Sequence, residues 1–156
     1  MKDTTAAERV EESTRNYIHY WETLAPETVD EILRLAAPDV HFRDPFNEVR
    51  DRELMRRIIA ETFHVADEVK FRIVQRAFAE SVVFLKWEME LRPKRLKSAK
   101  LWRVVGMSEL RFDEQGRLVE HLDYWDAAAG FYERLPVIGS LLRLIRRKLE
   151  VKPPSR

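Results

Sequence analysis

Two aspartates and one histidine are the residues of this chain best suited to proton transfer. His121 and Asp123 lie two positions apart in the segment 121–126 (HLDYWD), and Asp44 lies in the segment 40–45 (VHFRDP). Carboxylates and imidazoles are the side chains that proteins most often use as general acids and bases. The residue types therefore indicate acid–base chemistry.

Strand alternation decides which side chains accompany these candidates. Successive residues of a β-strand point to opposite faces of the sheet, which places Asp44 on the same face as Val40 and Phe42. In the segment 121–126 one face carries His121, Asp123 and Trp125, and the other carries Leu122, Tyr124 and Asp126. The pattern leaves open which of these two faces is buried.

Helical patterns come before the long strands. Thr5 and Glu8 have the spacing of a capping box that begins a first helix, which should end near Ala25. One stripe of this helix recurs at steps of four and three: Val10, Thr14, Tyr17, Trp21 and Leu24. Pro26 suits the first position of a short second helix. Asp51 is expected to cap a third helix.

Three long segments then alternate with a period of two, which is typical of strands with one buried side. They are 82–91, 102–112 and 118–126, and the turn 113–116 (DEQG) is expected to join the last two as a hairpin. Helices followed by long antiparallel strands predict an α+β fold, in which the helices pack on the concave face of a curved antiparallel sheet.

Several short motifs resemble enzymes of one superfamily. The stretch 20–44, with a helix tyrosine ahead of a strand that ends in Asp-Pro, resembles the start of ketosteroid isomerases, and 110–118 (LRFDEQGRL) is similar to their closing hairpin. Residues 120–123 (EHLD) resemble the last strand of SnoaL-like polyketide cyclases, and 123–126 (DYWD) resemble limonene epoxide hydrolases. All three belong to the nuclear transport factor 2-like superfamily. The resemblance covers about residues 8–130 and implies a cone of helices and curved sheet around a pocket.

The resemblance also implies roles for individual residues. Asp44 matches the isomerase general base, Tyr20 matches the tyrosine that donates to the substrate oxyanion, and Asp123 matches the cyclase acid/base. Trp125 matches an aromatic of the pocket wall, which implies that the face with His121 points inward and that this imidazole assists proton transfer. The remaining pocket wall is then expected from the apolar strand faces: Phe42, Trp87, Met89, Trp102, Ser108 and Leu110.

Two departures narrow the implied chemistry. Ser108 stands where ketosteroid isomerases have a protonated aspartate, and a serine is a weaker donor, which argues against ketosteroid substrates. Glu88 alternates outward, which argues against epoxide hydrolysis. Plainer interpretations also stay open: Asp44 could cap its own turn, Asp123 could accept sheet-edge or arginine hydrogen bonds, and Tyr20 could simply be packed in the core.

Composition excludes several function classes. The 156 residues fit one domain, and 28 basic against 27 acidic side chains give a net charge of +1, which offers no general attraction for nucleic acid. The chain has no cysteine, no glycine-rich phosphate loop and no H-E-x-x-H spacing, so we expect no cofactor and no metal. No secretory signal and no apolar run long enough to span a bilayer is evident, so a cytoplasmic protein is expected. His19, His41 and His64 are expected on the surface.

The C-terminal segment extends beyond the resemblance. We expect a domain over residues 1–130, an amphipathic basic helix over 131–150 packed on the same domain, and a disordered tail over 151–156. The helix could also form as two halves broken near Pro136 and Gly139. Such a helix could cover the pocket mouth or contact the dimer partner. It could instead lie weakly on an anionic membrane.

The leading hypothesis is a small-molecule pocket protein of the SnoaL-like type. Its ligand would be apolar or lipid-like, and its reaction a cofactor-free isomerisation, cyclisation or lyase step. The alternatives are a non-catalytic ligand-binding domain and an interaction domain that forms a homodimer through the sheet.

Overall fold

The computed structural model describes residues 5–94 and 100–151. The chain divides into two compact units, Met1–Trp125 and Asp126–Arg156. All of the predicted site residues lie in the first unit. Of the expected tail, residues 152–156 lie outside the described part of the chain.

The helices of the first unit form where the sequence carries caps and apolar stripes. They are α1 (Ala6–Glu22), α2 (Ile32–Leu35) and α3 (Arg52–Val65), with a 3₁₀ turn (Val29–Glu31) before α2. The capping box of α1 is confirmed, since the Thr5 hydroxyl accepts from Glu8 N at 3.2 Å and the Glu8 carboxylate accepts from Thr5 N at 2.8 Å. Asp51 caps α3 through Leu54 N at 2.8 Å, as predicted. The helix expected at Pro26 begins only after a turn.

Six strands form one curved sheet, which confirms the predicted α+β class. They are β1 (Ala36–Arg43), β2 (Glu48–Arg50), β3 (Ala66–Ala79), β4 (Val82–Pro93), β5 (Trp102–Phe112) and β6 (Leu118–Trp125). Their order across the sheet is β2-β1-β6-β5-β4-β3. Every neighbouring pair is antiparallel except β1 and β6, which run parallel, so the sheet is mixed. Register shifts within the β3–β4 and β5–β6 ladders add local bends, as bulges do.

Two strands were not predicted from the sequence. β3 lies at the edge of the sheet. In its first half the apolar residues Val69, Phe71 and Ile73 alternate with Lys70 and Arg72, which is a strand pattern, whereas most of its second half is exposed on both sides. β2 is only three residues long. The three long strands that were predicted are β4, β5 and β6, and the hairpin turn between the last two is confirmed by Gly116 N donating to Asp113 O at 2.9 Å.

The concave face of the sheet is the side on which the core forms. Aligned positions on β4, β5 and β6 place Leu85, Ser108 and Asp123 in one row. The flanking rows are Val83, Leu110 and His121 on one side and Trp87, Gly106 and Trp125 on the other. Helices α1 and α3 contribute further buried side chains to the same core cluster, among them Tyr17, Tyr20, Met55 and Ile59. The sheet thus fixes which polar groups enter an apolar interior.

The second unit contains α4 (Ala127–Gly130), a 3₁₀ turn (Tyr132–Arg134) and α5 (Ile138–Leu149). The expected alternatives were one amphipathic helix and two halves broken near Pro136 and Gly139. The structure has a break at Pro136 and Val137, whose φ is 66°, with the 3₁₀ turn before it and α5 after it. Packing of this segment on the domain stays a prediction.

No helix within residues 5–94 and 100–151 combines the length and apolar character needed to cross a bilayer.

Candidate functional site

Strand β6 places His121, Asp123 and Trp125 on the concave face of the sheet. His121 is only 3% exposed, whereas Tyr124 on the opposite face is 48% exposed. The face with His121 is therefore the inward one, as the family resemblance implied and as alternation alone could not decide.

A continuous chain of hydrogen bonds links α1 to the centre of the sheet. Tyr17 Oη lies 2.5 Å from His121 Nδ1, and His121 Nε2 lies 2.7 Å from Asp123 Oδ1. From the other side, Ser108 Oγ lies 2.5 Å from the same Asp123 oxygen, and Trp87 Nε1 lies 2.8 Å from Ser108 Oγ. Five side chains from four elements thus form one chain, and the Asp123 carboxylate lies at its centre.

The chemistry of the acceptor gives the direction of the bond between His121 and Asp123. A carboxylate can only accept, so the His121 Nε2–H donates to Asp123 Oδ1. Burial raises the pKa of the Tyr17 phenol well above its usual value, an effect that the Trp21 indole N–H opposes and the charge of Asp123 adds to. The phenol beside His121 Nδ1 therefore keeps its proton. The Trp21 N–H lies beside the phenol without a hydrogen bond of good geometry to any described acceptor.

The hydrogen bonds through Ser108 also donate toward Asp123. An indole N–H can only donate, so Ser108 accepts from Trp87 and turns its own proton toward Asp123. Gly106 permits this arrangement, because a Cβ there would lie 2.3 Å from a Trp87 ring carbon. The His121 and Ser108 donors therefore both point toward Asp123 Oδ1, and Oδ2 accepts no hydrogen bond from a described residue.

Asp123 is more accessible to a ligand than His121, which lies behind it. The side chain of Asp123 is 14% exposed and that of His121 is 3% exposed. Aromatic rings surround the imidazole: Phe42 at 5.1 Å, Trp21 at 5.7 Å and Tyr17 at 5.8 Å between ring centroids. Asp123 is thus the accessible end of a buried polar chain.

Asp44 does not join this chain. Its Oδ1 accepts from Phe46 N and Asn47 N at 2.7 Å each, and both of its oxygens accept from Asn47 Nδ2 at 3.1 Å. The carboxylate holds the turn between β1 and β2, which is the plainer interpretation left open above. Asp44 and Asp123 nevertheless follow directly after the Arg43–Leu122 pair of the parallel strands β1 and β6, so the two aspartates occupy neighbouring positions. Joint action of the two aspartates stays a prediction.

Tyr20 does not reach the site either. Its hydroxyl donates to the Val29 carbonyl at 3.1 Å, and the side chain is buried in the core. Tyr17, one turn earlier on α1, is the tyrosine that contacts His121. The sequence placed Tyr17 on the inward stripe of α1, but the motif resemblance directed attention to Tyr20.

The predicted pocket-wall residues differ in how far they are buried. Phe42, Leu110, Trp87 and Ser108 are buried within the concave side. Met89, Trp102 and Trp125 are partly exposed on the same face of their strands. A separate depression of about 320 Å³ is bordered by Leu24, Pro26, Phe63 and Lys94, and it includes none of the predicted site residues.

His41 was expected on the surface and is instead buried on the convex side of the sheet. Its ring nitrogens lie 2.9 Å from Glu48 and 3.2 Å from Glu120. The hydrogen bond from His41 lowers the pKa of the Glu48 carboxyl.

Among residues 5–94 and 100–151, no three histidine, aspartate or glutamate side chains converge as metal ligands.

Solved structures share this fold at low sequence identity. A protein with a ketosteroid isomerase-like fold from Catenulispora acidiphila DSM 44928, solved in complex with trimethylamine, is 17% identical with a TM-score of 0.64, over 76% of this chain and 88% of that one. A proposed SnoaL-like polyketide cyclase from Shewanella denitrificans OS-217 is 17% identical with a TM-score of 0.61, over 75% and 90%. AclR, a proposed hydroxylase from Streptomyces galilaeus, is 18% identical with a TM-score of 0.64, over 93% of each chain. No curated protein sequence matches at a significant level.

A sequence-family comparison matches most of the first unit and ends two residues before Asp123. The model of the SnoaL-like domain matches residues 17–121, which is about two thirds of the chain. The match begins at Tyr17 and ends at His121, the two residues joined by a hydrogen bond across the interior. The chain belongs to the SnoaL-like domain family.

Proposed function

We propose that this protein binds a small apolar molecule on the concave side of the sheet and exchanges a proton with it through Asp123. The observation that carries the proposal is the convergence of His121 Nε2–H and Ser108 Oγ–H on Asp123 Oδ1, which leaves Oδ2 without a donor among the described residues. One carboxylate oxygen is held in place while the other can meet a substrate proton. This division suits a general base.

The other members of the chain support Asp123 without touching the ligand. His121 and Tyr17 are too buried to reach a substrate, so they act as positioning residues that hold the carboxylate and its hydrogen-bond pattern. Ser108 and Trp87 do the same from β5 and β4. Such pre-ordering lowers the cost of bringing the base to a reacting C–H or O–H bond.

The reaction class that fits is a proton transfer without a cofactor, as in isomerisation, cyclisation or lyase chemistry. Asp123 would take a proton from an activated carbon or hydroxyl of the ligand and return it to another position. Trp87, Trp125 and Phe42 supply an apolar wall beside the carboxylate. Related proteins of this fold include proposed polyketide cyclases and a proposed hydroxylase, which supports small aromatic or polyketide-like ligands.

A carbon-acid probe tests the proposed base. Opening of a nitrobenzisoxazole requires removal of a single C–H proton and releases a coloured nitrophenolate. The protein should accelerate this reaction over buffer, and Asp123→Asn should reduce the acceleration by at least about a hundredfold, which is the scale of a general base. Asp39→Asn is the matched control, because Asp39 is exposed and lies on a strand of the same sheet.

Two outcomes would contradict the assignment. Equal rates for the wild type and Asp123→Asn would remove Asp123 as the base. Loss of activity in Asp44→Asn with Asp123→Asn unaffected would return the role to Asp44.

A second candidate is ligand binding without turnover. It is favoured by the fact that Tyr17, His121, Ser108 and Trp87 already have hydrogen-bond partners inside the protein, so the chain could serve packing alone. In that case the nitrobenzisoxazole would react no faster than in buffer. Anilinonaphthalene sulfonate would still bind, with equal affinity for the wild type and Asp123→Asn.

A further inference from the structure

The C-terminal unit differs in charge from the rest of the chain. Residues 126–156 hold seven of the 28 basic residues and three of the 27 acidic ones, which leaves 21 basic and 24 acidic residues in 1–125. The nearly neutral chain is therefore a slightly acidic unit joined to a basic one. This basic unit also lies outside the region 17–121 that matches the SnoaL-like domain.

Helix α5 presents one exposed apolar face. At 100° per residue, five side chains project within one arc of the helix: Ile138, Leu141, Leu142, Ile145 and Leu149. Leu141 is 60% exposed, Ile145 48% and Leu149 79%. Apolar side chains normally occupy the covered face of a surface helix, so a continuous exposed stripe marks a contact surface.

The cations of α5 lie along the edges of this stripe and opposite it. Arg146 and Lys148 project on the two flanks, while Arg143 and Arg147 project from the far side. Arg146 pairs with Glu133 at 2.7 Å, and Arg143 donates to the Glu133 carbonyl and to Ser140. Arg147 and Lys148 form no ion pair with a described residue. The flanking cations are placed to reach anionic groups beside the surface into which the apolar stripe would sink.

We propose that α5 lies in the plane of an anionic lipid surface, with Leu141, Ile145 and Leu149 buried among the acyl chains. Lys148 at the edge of the stripe then faces the headgroups, and Arg147 on the far side adds its charge to the attraction. Charge complementarity selects this occupant. A second copy of the same basic helix would be repelled, whereas an anionic bilayer attracts the cations and offers an apolar layer to the stripe. At 12 residues, the helix lies on a bilayer and does not span it.

Vesicle co-sedimentation of the full chain tests the proposal. The chain should pellet with vesicles of phosphatidylglycerol and phosphatidylcholine, should stay in solution with phosphatidylcholine alone, and should be released by added salt. Two double variants, Leu141→Asp/Ile145→Asp and Arg147→Glu/Lys148→Glu, should each bind at least about tenfold more weakly. The control Arg57→Glu/Lys86→Glu makes the same charge change at exposed positions of the first unit and should bind like the wild type.

Specific outcomes would overturn the proposal. They are wild-type protein that stays in the supernatant with anionic vesicles, equal loss of binding in the control variant, or full displacement by free glycerol phosphate, which would indicate a headgroup pocket. Far-ultraviolet circular dichroism and thermal unfolding check that each variant is folded. Because the proposal concerns residues 138–149, the nitrobenzisoxazole assay can fail without affecting it.

Discussion

Tyr17 and Tyr20 are buried, and this burial makes their phenols harder to ionise in alkali. The pKa of Tyr17 is raised by burial, and that of Tyr20 is raised by burial and by the nearby charges of Glu31 and Asp30. Tyr124 and Tyr132, the other two tyrosines, are exposed. A raised folded-state pKa means that the fold favours the protonated phenol. This contribution to stability is complete below the ordinary tyrosine pKa of about 10 and is lost as the pH rises above it.

An ultraviolet titration should therefore show two phenols that ionise only together with unfolding. Tyr17 and Tyr20 should keep their protons above the ordinary tyrosine pKa while the fold is intact. In Tyr17→Phe, the change in phenolate absorbance that accompanies unfolding should fall by about half. Ionisation of all four phenols in one stage with circular dichroism unchanged would contradict the burial of Tyr17 and Tyr20.

At the level of secondary structure, the β5–β6 hairpin determines whether β6 reaches its register beside β5. The Asp113 carboxylate closes its turn by accepting from Gln115 N at 2.9 Å and from Arg117 N and Nε at 2.8 Å. Partial burial acts to raise the pKa of Asp113, but the hydrogen bonds and charge of Arg117 outweigh it and lower the pKa. A lowered pKa stabilises the fold above the ordinary aspartate range, and this contribution is lost as the pH falls through the folded-state pKa.

Removal of the Asp113 carboxylate should therefore destabilise the protein in a pH-dependent way. Asp113→Ala should lower the free energy of unfolding in urea by about 1–2 kcal/mol at neutral pH, because three hydrogen bonds are lost. The difference from wild type should shrink as the pH falls below the ordinary aspartate pKa. Asp39→Ala should show no such trend, and a pH-independent difference for Asp113→Ala would show that the charge is not what stabilises the turn.

At the level of the whole molecule, the convex face of the sheet offers a surface for self-association. Val105, Met107 and Tyr124 are each close to half exposed there, and Met107 and Tyr124 are paired across β5 and β6. Arg43 covers the Tyr124 ring at 5.6 Å and donates to its hydroxyl at 3.3 Å. We propose that this face forms a homodimer, which the family resemblance also implied.

Light scattering coupled to size exclusion tests the dimer. The wild type should elute with the mass of two chains, and Met107→Glu should shift it to one, because a buried unpaired carboxylate is costly at the centre of an apolar contact. Leu54→Glu is the control, since Leu54 is similarly exposed on α3. A monomeric wild type at high concentration, or equal dissociation in both variants, would argue against this surface.

Much of the fold is readable from local patterns. Capping residues located α1 and α3, and period-two alternation located β4, β5 and β6. Alternation over residues 69–73 is a signal for β3, but it covers only five of its fourteen residues because the outer half of this edge strand is exposed on both sides. β2 is too short to carry a period. The parallel contact of β1 with β6 joins residues about 80 positions apart, and no local pattern encodes that pairing.

The sequence by itself determined the α+β class, the inward position of the Tyr17 stripe and the presence of His121 and Asp123 on one strand face. Tertiary structure decided the rest of the site. It turned Tyr20 toward Val29, held Asp44 in its turn with Asn47, and brought Tyr17 and Ser108 to the two ends of the His121–Asp123 pair. The physical reason is that a hydrogen bond needs two groups within about 3 Å, a distance that strand register and helix packing fix and that linear spacing does not.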